Sequence, residues 1–205
     1  MFPQGFHRKL KRGPAVVLPK DLGSVLARAG LQHGDVVLDA GAGSGWAAIA
    51  WGLAVAPNGR VHSFERRPEF ADLAEGNVRR AGLEGVVKIV RGSAFKGFKG
   101  EADFVFLDCG DSNKLVKRAA TRMKQGGLLV GYTPHSEQMR AFVNAGLKAG
   151  LVLEECVENM ERQWLVREQG CRPVNIGLIH TAFLIFMRKP AVAVPAASKA
   201  AQPTA

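Results

Sequence analysis

Val36-Val-Leu-Asp-Ala-Gly-Ala-Gly-Ser-Gly45 carries an apolar stretch into three alternating glycines, and Trp46 to Ala56 continues as an unbroken apolar segment. A strand that feeds a helix through glycines lets a ligand approach the backbone closely, because no Cβ intervenes and the helix N-terminus offers free N–H groups. Outward from this turn, short β-rich runs alternate with helical periodicity, the pattern of βαβ units around a parallel sheet covered on both faces. The expected fold is α/β, three-layered and Rossmann-like. Strands are predicted at 36–40, 61–65, 86–90, 103–108, 127–132, 151–158 and 177–187, and helices near 21–29, 46–56, 68–81, 113–123 and 136–149. Lys124-Gln-Gly-Gly127 reads as a helix stop. Only the polar stretch from Arg162 to Asn175 separates the last two strands, so the seventh strand is expected to run antiparallel in a mostly parallel sheet.

The 205 residues suit one domain with extensions. Residues 1–12 are basic and aperiodic and read as an arm that a partner would order; 13–189 form the domain; 190–205 lack periodicity and bulk and are expected to be disordered. The densest apolar stretches, 46–56 and 176–187, are 11 and 12 residues long, whereas a membrane-spanning helix needs about 20. No membrane span is expected, and the N-terminus lacks the apolar core of a signal peptide, so a cytoplasmic location follows. Cys109, Cys156 and Cys171 are odd in number and show no C-x-x-C spacing, which suggests neither disulfides nor a metal. Twenty-eight Lys and Arg against 18 Asp and Glu leave a net charge of +10, favouring polyanionic partners such as RNA.

The dinucleotide fingerprint G-x-G-x-x-G would require glycine where this chain has Trp46. Asp39, on the strand two residues before Gly41, can face a cationic ligand amine. Glu65, at the end of the next strand, can accept both hydroxyls of a ribose. With Gly41, Gly43, Ser44 and Gly45 between them, these residues describe S-adenosylmethionine better than NAD. Asp108, at the carboxyl end of the fourth strand, borders the same crevice.

Further segments carry a resemblance. Leu18-Pro-Lys-Asp21 is similar to a YPKD motif, Phe64-Glu-Arg-Arg67 to YERR, and Gly131-Tyr-Thr-Pro-His-Ser-Glu-Gln138 to YSPxxEQ. Glu161-Arg-Gln-Trp164, Arg172-Pro173 and His180-Thr-Ala-Phe-Leu184 are similar to RxW, RP and HTGFL. In this order and spacing the chain resembles the tRNA (adenine-N1)-methyltransferases, class I S-adenosylmethionine-dependent enzymes that make 1-methyladenosine at position 57/58 of the T-loop. The resemblance implies a seven-stranded class I fold, Leu18 and Ser93 at the cofactor, and Gln138, Arg162 and Trp164 on the substrate side. It also implies a homotetramer. Sulfonium methyl transfer needs alignment and electrostatics rather than a metal. Asp108 is the candidate group to hold the adenine amine and stabilise charge developing at the base, and Tyr132 would wall the base pocket. Lys114, Arg118 and Arg122 recur at i, i+4 and i+8 and would offer phosphate contacts on one helix face.

The chain departs from the family pattern at three places. No counterpart of the family's small N-terminal β domain precedes Leu18, which leaves room for a separate RNA-binding protein in that role. Leu107-Asp-Cys-Gly-Asp-Ser-Asn113 stands where the family has LDxPxPW, so a looser loop is expected, and Ser93 replaces an acid. Structural roles compete for several residues: Asp108 or, better, Asp111 as a helix cap, Tyr132 in the core, Gln138 and the basic stripe in solvent, Trp164 on the sheet edge. His180 reads as a satisfied core histidine. Two other functions share parts of the pattern, an isoaspartate O-methyltransferase and a non-catalytic RNA-binding subunit.

Overall fold

The computed structural model describes residues 9–13, 16–175 and 180–191. In chain order the elements are α1 (Pro19–Ala29), β1 (Val36–Ala40), α2 (Trp46–Val55), β2 (Arg60–Glu65), α3 (Pro68–Ala81), β3 (Val87–Arg91) and β4 (Ala102–Leu107). There follow α4 (Ser112–Ala120), β5 (Met123–Thr133), α5 (Ser136–Lys148), β6 (Val152–Glu158), β7 (Trp164–Leu165), β8 (Arg172–Pro173) and β9 (Phe183–Arg188). Seven strands form one sheet in the order β3-β2-β1-β4-β5-β9-β6. The pairings from β3 through β5 are parallel, and β9 lies antiparallel to both β5 and β6. The chain order reverses between β1 and β4, and the crevice at that reversal is where ligands bind in open α/β sheets.

The central strands are apolar on both faces because helices cover both. Val37, Phe104 and Phe106 pack towards α1, α2 and α3, whereas Leu38, Val105 and Leu107 pack towards α4 and α5. Trp51 of α2 lies edge-on to Phe104 at 5.3 Å and tilted on Phe106 at 5.1 Å, with no exposure at all. Truncating a ring buried this way costs about 3–5 kcal/mol. Eight of the ten α2 residues are buried, which explains an apolar stretch without a polar face.

Five details differ from the sequence reading. Helix α4 ends at Ala120, and Met123 begins β5 instead, its side chain fully buried. The Lys124–Gly127 segment is then an irregularity within β5: pairing jumps from Ala102 with Met123 to Phe104 with Leu128, and Lys189 closes the gap by exchanging backbone hydrogen bonds with Gly126 and Gly127. The polar stretch before β9 contains the two-residue hairpin β7–β8, too short to leave a periodic signal. The last strand begins at Phe183, with His180 to Ala182 outside it; 177–179 lie outside the described residues, as do most of the arm and the tail from 192. Residues 9–12, the described part of the 1–12 arm expected to need a partner for order, pack on the chain itself through Leu10, only 8% exposed, and the Lys11 backbone. Among the described residues, no helix is long and apolar enough to cross a membrane.

Candidate functional site

The glycine turn is held from below by β2, since the N–H groups of Gly41 and Ala42 both donate to the Phe64 carbonyl, at 3.0 and 3.1 Å. Gly41 has φ 103°, and a Cβ there would stand 1.8 Å from the Asp108 carbonyl oxygen. The turn therefore lies directly on the end of β4, where the Asp108 N–H donates to the Ala40 carbonyl at 2.9 Å. Gly45, at φ 81°, opens α2, and a Cβ there would press on Ala74 of α3 at 3.2 Å. Glycine spacing thus brings Asp108, the turn and α3 together.

Three carboxylates meet at this turn. Glu65 is only 5% exposed. Its Oε1 accepts from the N–H groups of Arg66 and Arg67, both at 3.0 Å, and from Arg67 Nε at 3.3 Å; its Oε2 accepts from the Gly43 N–H at 3.0 Å. Burial alone would raise its pKa, but the backbone donors of Arg67 and Gly43 and the Arg67 guanidinium outweigh that and hold it below the usual carboxylate value. Asp39 is fully buried, and burial pushes it from 3.8 up to about 7 against a stabilising hydrogen bond from Ser63 and a weaker favourable interaction with Trp51. Asp39 Oδ1 has no hydrogen-bond partner, nor does Trp51 Nε1. Asp108, partly exposed along its chain, is also pushed up to about 7, by burial first and then by Asp39 and Glu65.

A pair of carboxyls that resist simultaneous ionisation favours a ligand that brings positive charge. No group of three metal-ligating side chains occurs among the described residues. An orphaned Asp39 oxygen, a turn with glycine at every second position and a ribose-competent Glu65 together fit a ligand carrying an ammonium, a sulfonium and a ribose. Glu65→Ala should weaken S-adenosylmethionine binding at least tenfold, since charge-assisted hydrogen bonds contribute about 1.5–3 kcal/mol each, while NAD should not bind. Calorimetry on both ligands measures this, and normal cofactor binding by the variant would remove Glu65 from the site.

A second cluster joins segments far apart in sequence. Asp21, with no exposure, accepts from Lys20 Nζ (2.9 Å) and Asn159 Nδ2 (3.0 Å) at Oδ1, and from Thr181 Oγ1 (2.7 Å) and the Tyr132 hydroxyl (3.2 Å) at Oδ2. Lys20 Nζ also donates to the Asn159 carbonyl at 2.7 Å and to Thr181 Oγ1 at 2.6 Å. Burial pushes the Tyr132 phenol up, Asp21 adding to it, so the hydroxyl stays protonated. Its ring leans on Phe106, with centroids 6.2 Å apart. The motifs around Asp21, Tyr132 and Thr181 were separate in the sequence and meet here. Asn159 was not anticipated, and only its position after a strand could have drawn attention to it.

The remaining candidates are spread out. Leu18 caps α1, its carbonyl accepting from Asp21 and Leu22. Ser93 is exposed beside Gly92, whose N–H donates to the Glu65 carbonyl at 2.8 Å. Gln138 and Arg162 are exposed. Trp164 is 59% exposed on β7 opposite Pro173, rather than packed on the main sheet. Lys114 and Arg118 lie on α4, but Arg122 falls beyond its end, so the three do not form one helical stripe; Lys114 pairs with Asp111 at 2.8 Å. Asp111 occupies the N-cap position at φ 59° without a side-chain cap bond. His180 is exposed rather than in the core, with Nδ1 at 2.6 Å from Glu158 Oε1 and Nε2 at 2.8 Å from the Pro134 carbonyl. Both partners are acceptors, so the imidazolium is the form that satisfies them, and its pKa is raised by the Glu158 and Pro134 bonds.

Sheet order, glycine turn and acidic crevice define a class I S-adenosylmethionine-dependent methyltransferase. The model of the family described as the tRNA methyltransferase complex GCD14 subunit matches residues 3–184, and the chain belongs to that family. It is 33% identical over 182 residues to the tRNA (adenine(58)-N(1))-methyltransferase TrmI of Thermus thermophilus, covering 88% of this chain and 71% of that one. It is 29% identical over 210 residues to the tRNA (adenine(57)-N(1)/adenine(58)-N(1))-methyltransferase TrmI of Methanocaldococcus jannaschii, covering 89% and 74%. Among solved structures, a SAM-dependent O-methyltransferase from Thermotoga maritima superposes with a TM-score of 0.84 at 29% identity, covering 92% of this chain and 72% of that one. Matches to protein-L-isoaspartate O-methyltransferases are partial; that of Aeropyrum pernix covers 45% of this chain.

Proposed function

We propose that this chain methylates adenine N1 in tRNA, at position 57/58 of the T-loop, from S-adenosylmethionine. Family membership supports the substrate, and the observation that carries the chemistry is the place of Asp108 at the end of β4, its carbonyl 1.8 Å from where a Gly41 Cβ would stand and its carboxyl coupled to those of Asp39 and Glu65. The catalytic domain is taken as residues 13–189. When bound, the cofactor supplies a methyl group already activated on a sulfonium. Asp39 faces its ammonium, Glu65 takes the ribose hydroxyls, and Leu18, Gly41, Gly43, Ser44, Gly45 and Ser93 line it. Cationic charge beside Asp108 would draw its carboxyl to the ionised form, which would accept from the adenine amine and stabilise positive charge as N1 takes the methyl carbon and the carbon–sulfur bond breaks, its electron pair staying on a neutral thioether. Tyr132, fixed by Asp21, walls the base. Gln138, Arg162 and Trp164 serve the substrate side, and a homotetramer in the cytoplasm completes the reading.

Mass mapping of nucleosides in unfractionated tRNA incubated with protein and cofactor tests this. It should return 1-methyladenosine in the T-loop. Methylation of an isoaspartyl peptide with none in tRNA would replace the reading with isoaspartate repair, and activity in neither would leave a non-catalytic subunit. The intact glycine turn and Asp108 favour catalysis over that last role.

The two raised carboxyls set a pH dependence. Between about 4 and 7 the folded chain retains protons that the unfolded chain releases, so this contribution to stability is complete below the unfolded value and is lost as pH rises through about 7. A cationic ligand reverses the sign. S-adenosylmethionine affinity should rise between pH 6 and 8 with proton release, measured by calorimetry in buffers of different ionisation enthalpy. A flat profile would mean that neither carboxyl meets the cofactor's charge.

RNA affinity should fall steeply with salt, by a log–log slope of about −0.7 to −0.9 per phosphate neutralised. Neutralising Lys114, Arg118 and Arg122 should flatten that slope by about two units while cofactor affinity stays constant. A slope the triple variant does not alter would place the RNA elsewhere on the surface.

A further inference from the structure

Asn77, in the middle of α3, has no exposed surface and uses its whole amide. Its Oδ1 accepts from the Lys11 N–H at 2.9 Å and from Arg80 Nη1 at 3.2 Å. Its Nδ2 donates to the Lys11 carbonyl at 2.8 Å and to the Ser44 carbonyl at 2.7 Å. One side chain therefore grips the backbone of residue 11 at both its donor and its acceptor, as a neighbouring strand would, and grips the glycine turn with the same nitrogen. Ser44 sits between Gly43, whose N–H donates to Glu65, and Gly45, which opens α2. The turn is thus fixed on its inner side by Glu65 and on its outer side by Asn77.

Two further contacts seat the same segment. Leu10 is buried in the cluster shared by α1, α2 and α3, and the Trp46 indole N–H points to the Lys11 carbonyl at 3.4 Å. Gly13 runs so close to the turn that a Cβ there would stand 3.3 Å from Ser44 Cβ and 3.3 Å from Leu73 Cδ2. Lys9, Lys11 and Arg12 stay exposed on the outside of this strap.

We infer that residues 9–13 form a strap clasped by Asn77, and that its seating and the ligand-ready shape of the glycine turn are one coupled state. Asn77 is a positioning residue: its amide is taken up by Lys11, Ser44 and Arg80, and it acts by holding the Ser44 carbonyl and the strap together. The consequence deepens the function proposed above and rests on it. Cofactor binding, which needs the ordered turn, favours the seated strap, and the seated strap carries three cations to the rim of the site where an RNA backbone would meet them. Coupling of this kind is reciprocal, so each ligand raises the affinity for the other.

The test compares Lys11→Pro with Lys11→Ala in the full chain. Both remove the same charge, but only proline removes the N–H that Asn77 accepts. In cofactor-free protein, amide hydrogen exchange across residues 43–46 should be about tenfold faster in Lys11→Pro than in Lys11→Ala. S-adenosylhomocysteine should bind the proline variant several-fold more weakly than the alanine variant, and should slow tryptic cleavage after Arg12 in the wild type and in Lys11→Ala but not in Lys11→Pro. Asn77→Ala, if it folds, should match Lys11→Pro in exchange and affinity. Equal exchange in the two Lys11 variants overturns the strap, whatever the cofactor does. A wild type that fails to bind S-adenosylhomocysteine at all strikes at the cofactor reading instead, because exchange in the free protein decides the strap alone.

Discussion

Asp108→Asn is expected to lower single-turnover methylation about 10²-fold or more while S-adenosylhomocysteine affinity changes little. The substitution keeps the shape and removes the charge. Asp108 sits where burial first, and then repulsion from Asp39 and Glu65, have raised its pKa to about 7, so its ionised form gains most when positive charge develops beside it. Removing one preorganised electrostatic group from such a site costs about 10²–10³ in rate. Rate and affinity must be measured separately, because a loss confined to the chemical step identifies an interaction made in the transition state. Turnover that survives the change would make the carboxyl structural and shift the amine contact to another group.

Gly41→Ala should abolish cofactor binding and destabilise the fold by about 3 kcal/mol or more, the range of strong backbone strain combined with a steric clash. Two causes act together. At φ 103° the backbone is one that L side chains rarely adopt, and the added methyl would sit 1.8 Å from the Asp108 carbonyl. That carbonyl is backbone immediately after β4, where the Asp108 N–H is tied to the Ala40 carbonyl, and cannot rotate aside as a side chain could. Thermal unfolding and calorimetry should both register the change. A variant that unfolds normally and binds cofactor would show that the turn can rise off β4.

The fold was legible because its signals are periodic and cumulative. The 36–40 strand and the 68–81 helix have the predicted bounds, and the antiparallel last strand followed from the absence of a helix before it. Boundaries failed where local preference yielded to packing: Met123 reads as the end of a helix but is drawn into β5 by a buried position under α4 and α5. Within the site, Asp39, Glu65 and Asp108 were visible because each ends or rides a strand beside the glycines. Asn159 and Asn77 were not, and Thr181 was visible only as part of the His180–Leu184 motif without a role, since a polar side chain whose partners lie more than 30 positions away leaves no local pattern. The exposed setting of His180 was missed for the opposite reason, as its apolar neighbours in sequence suggested a strand that begins only at Phe183.

The placement of β9 between β5 and β6 bears on how the chain is made. Synthesis delivers β6 before β9, yet β6 has no strand to join until β9 slots between it and β5. From the synthesis of β5 until that of β9, the β5 edge, with Leu128 to Thr133 unpaired on one side, stays open to any strand that can reach it, the situation that invites misassembly. Thr181, which completes the shell around Asp21 and Tyr132, arrives just ahead of β9. A nascent chain stopped before Phe183 would therefore carry the whole glycine turn while β6 stayed unpaired and Thr181 had no strand behind it to hold it beside Asp21.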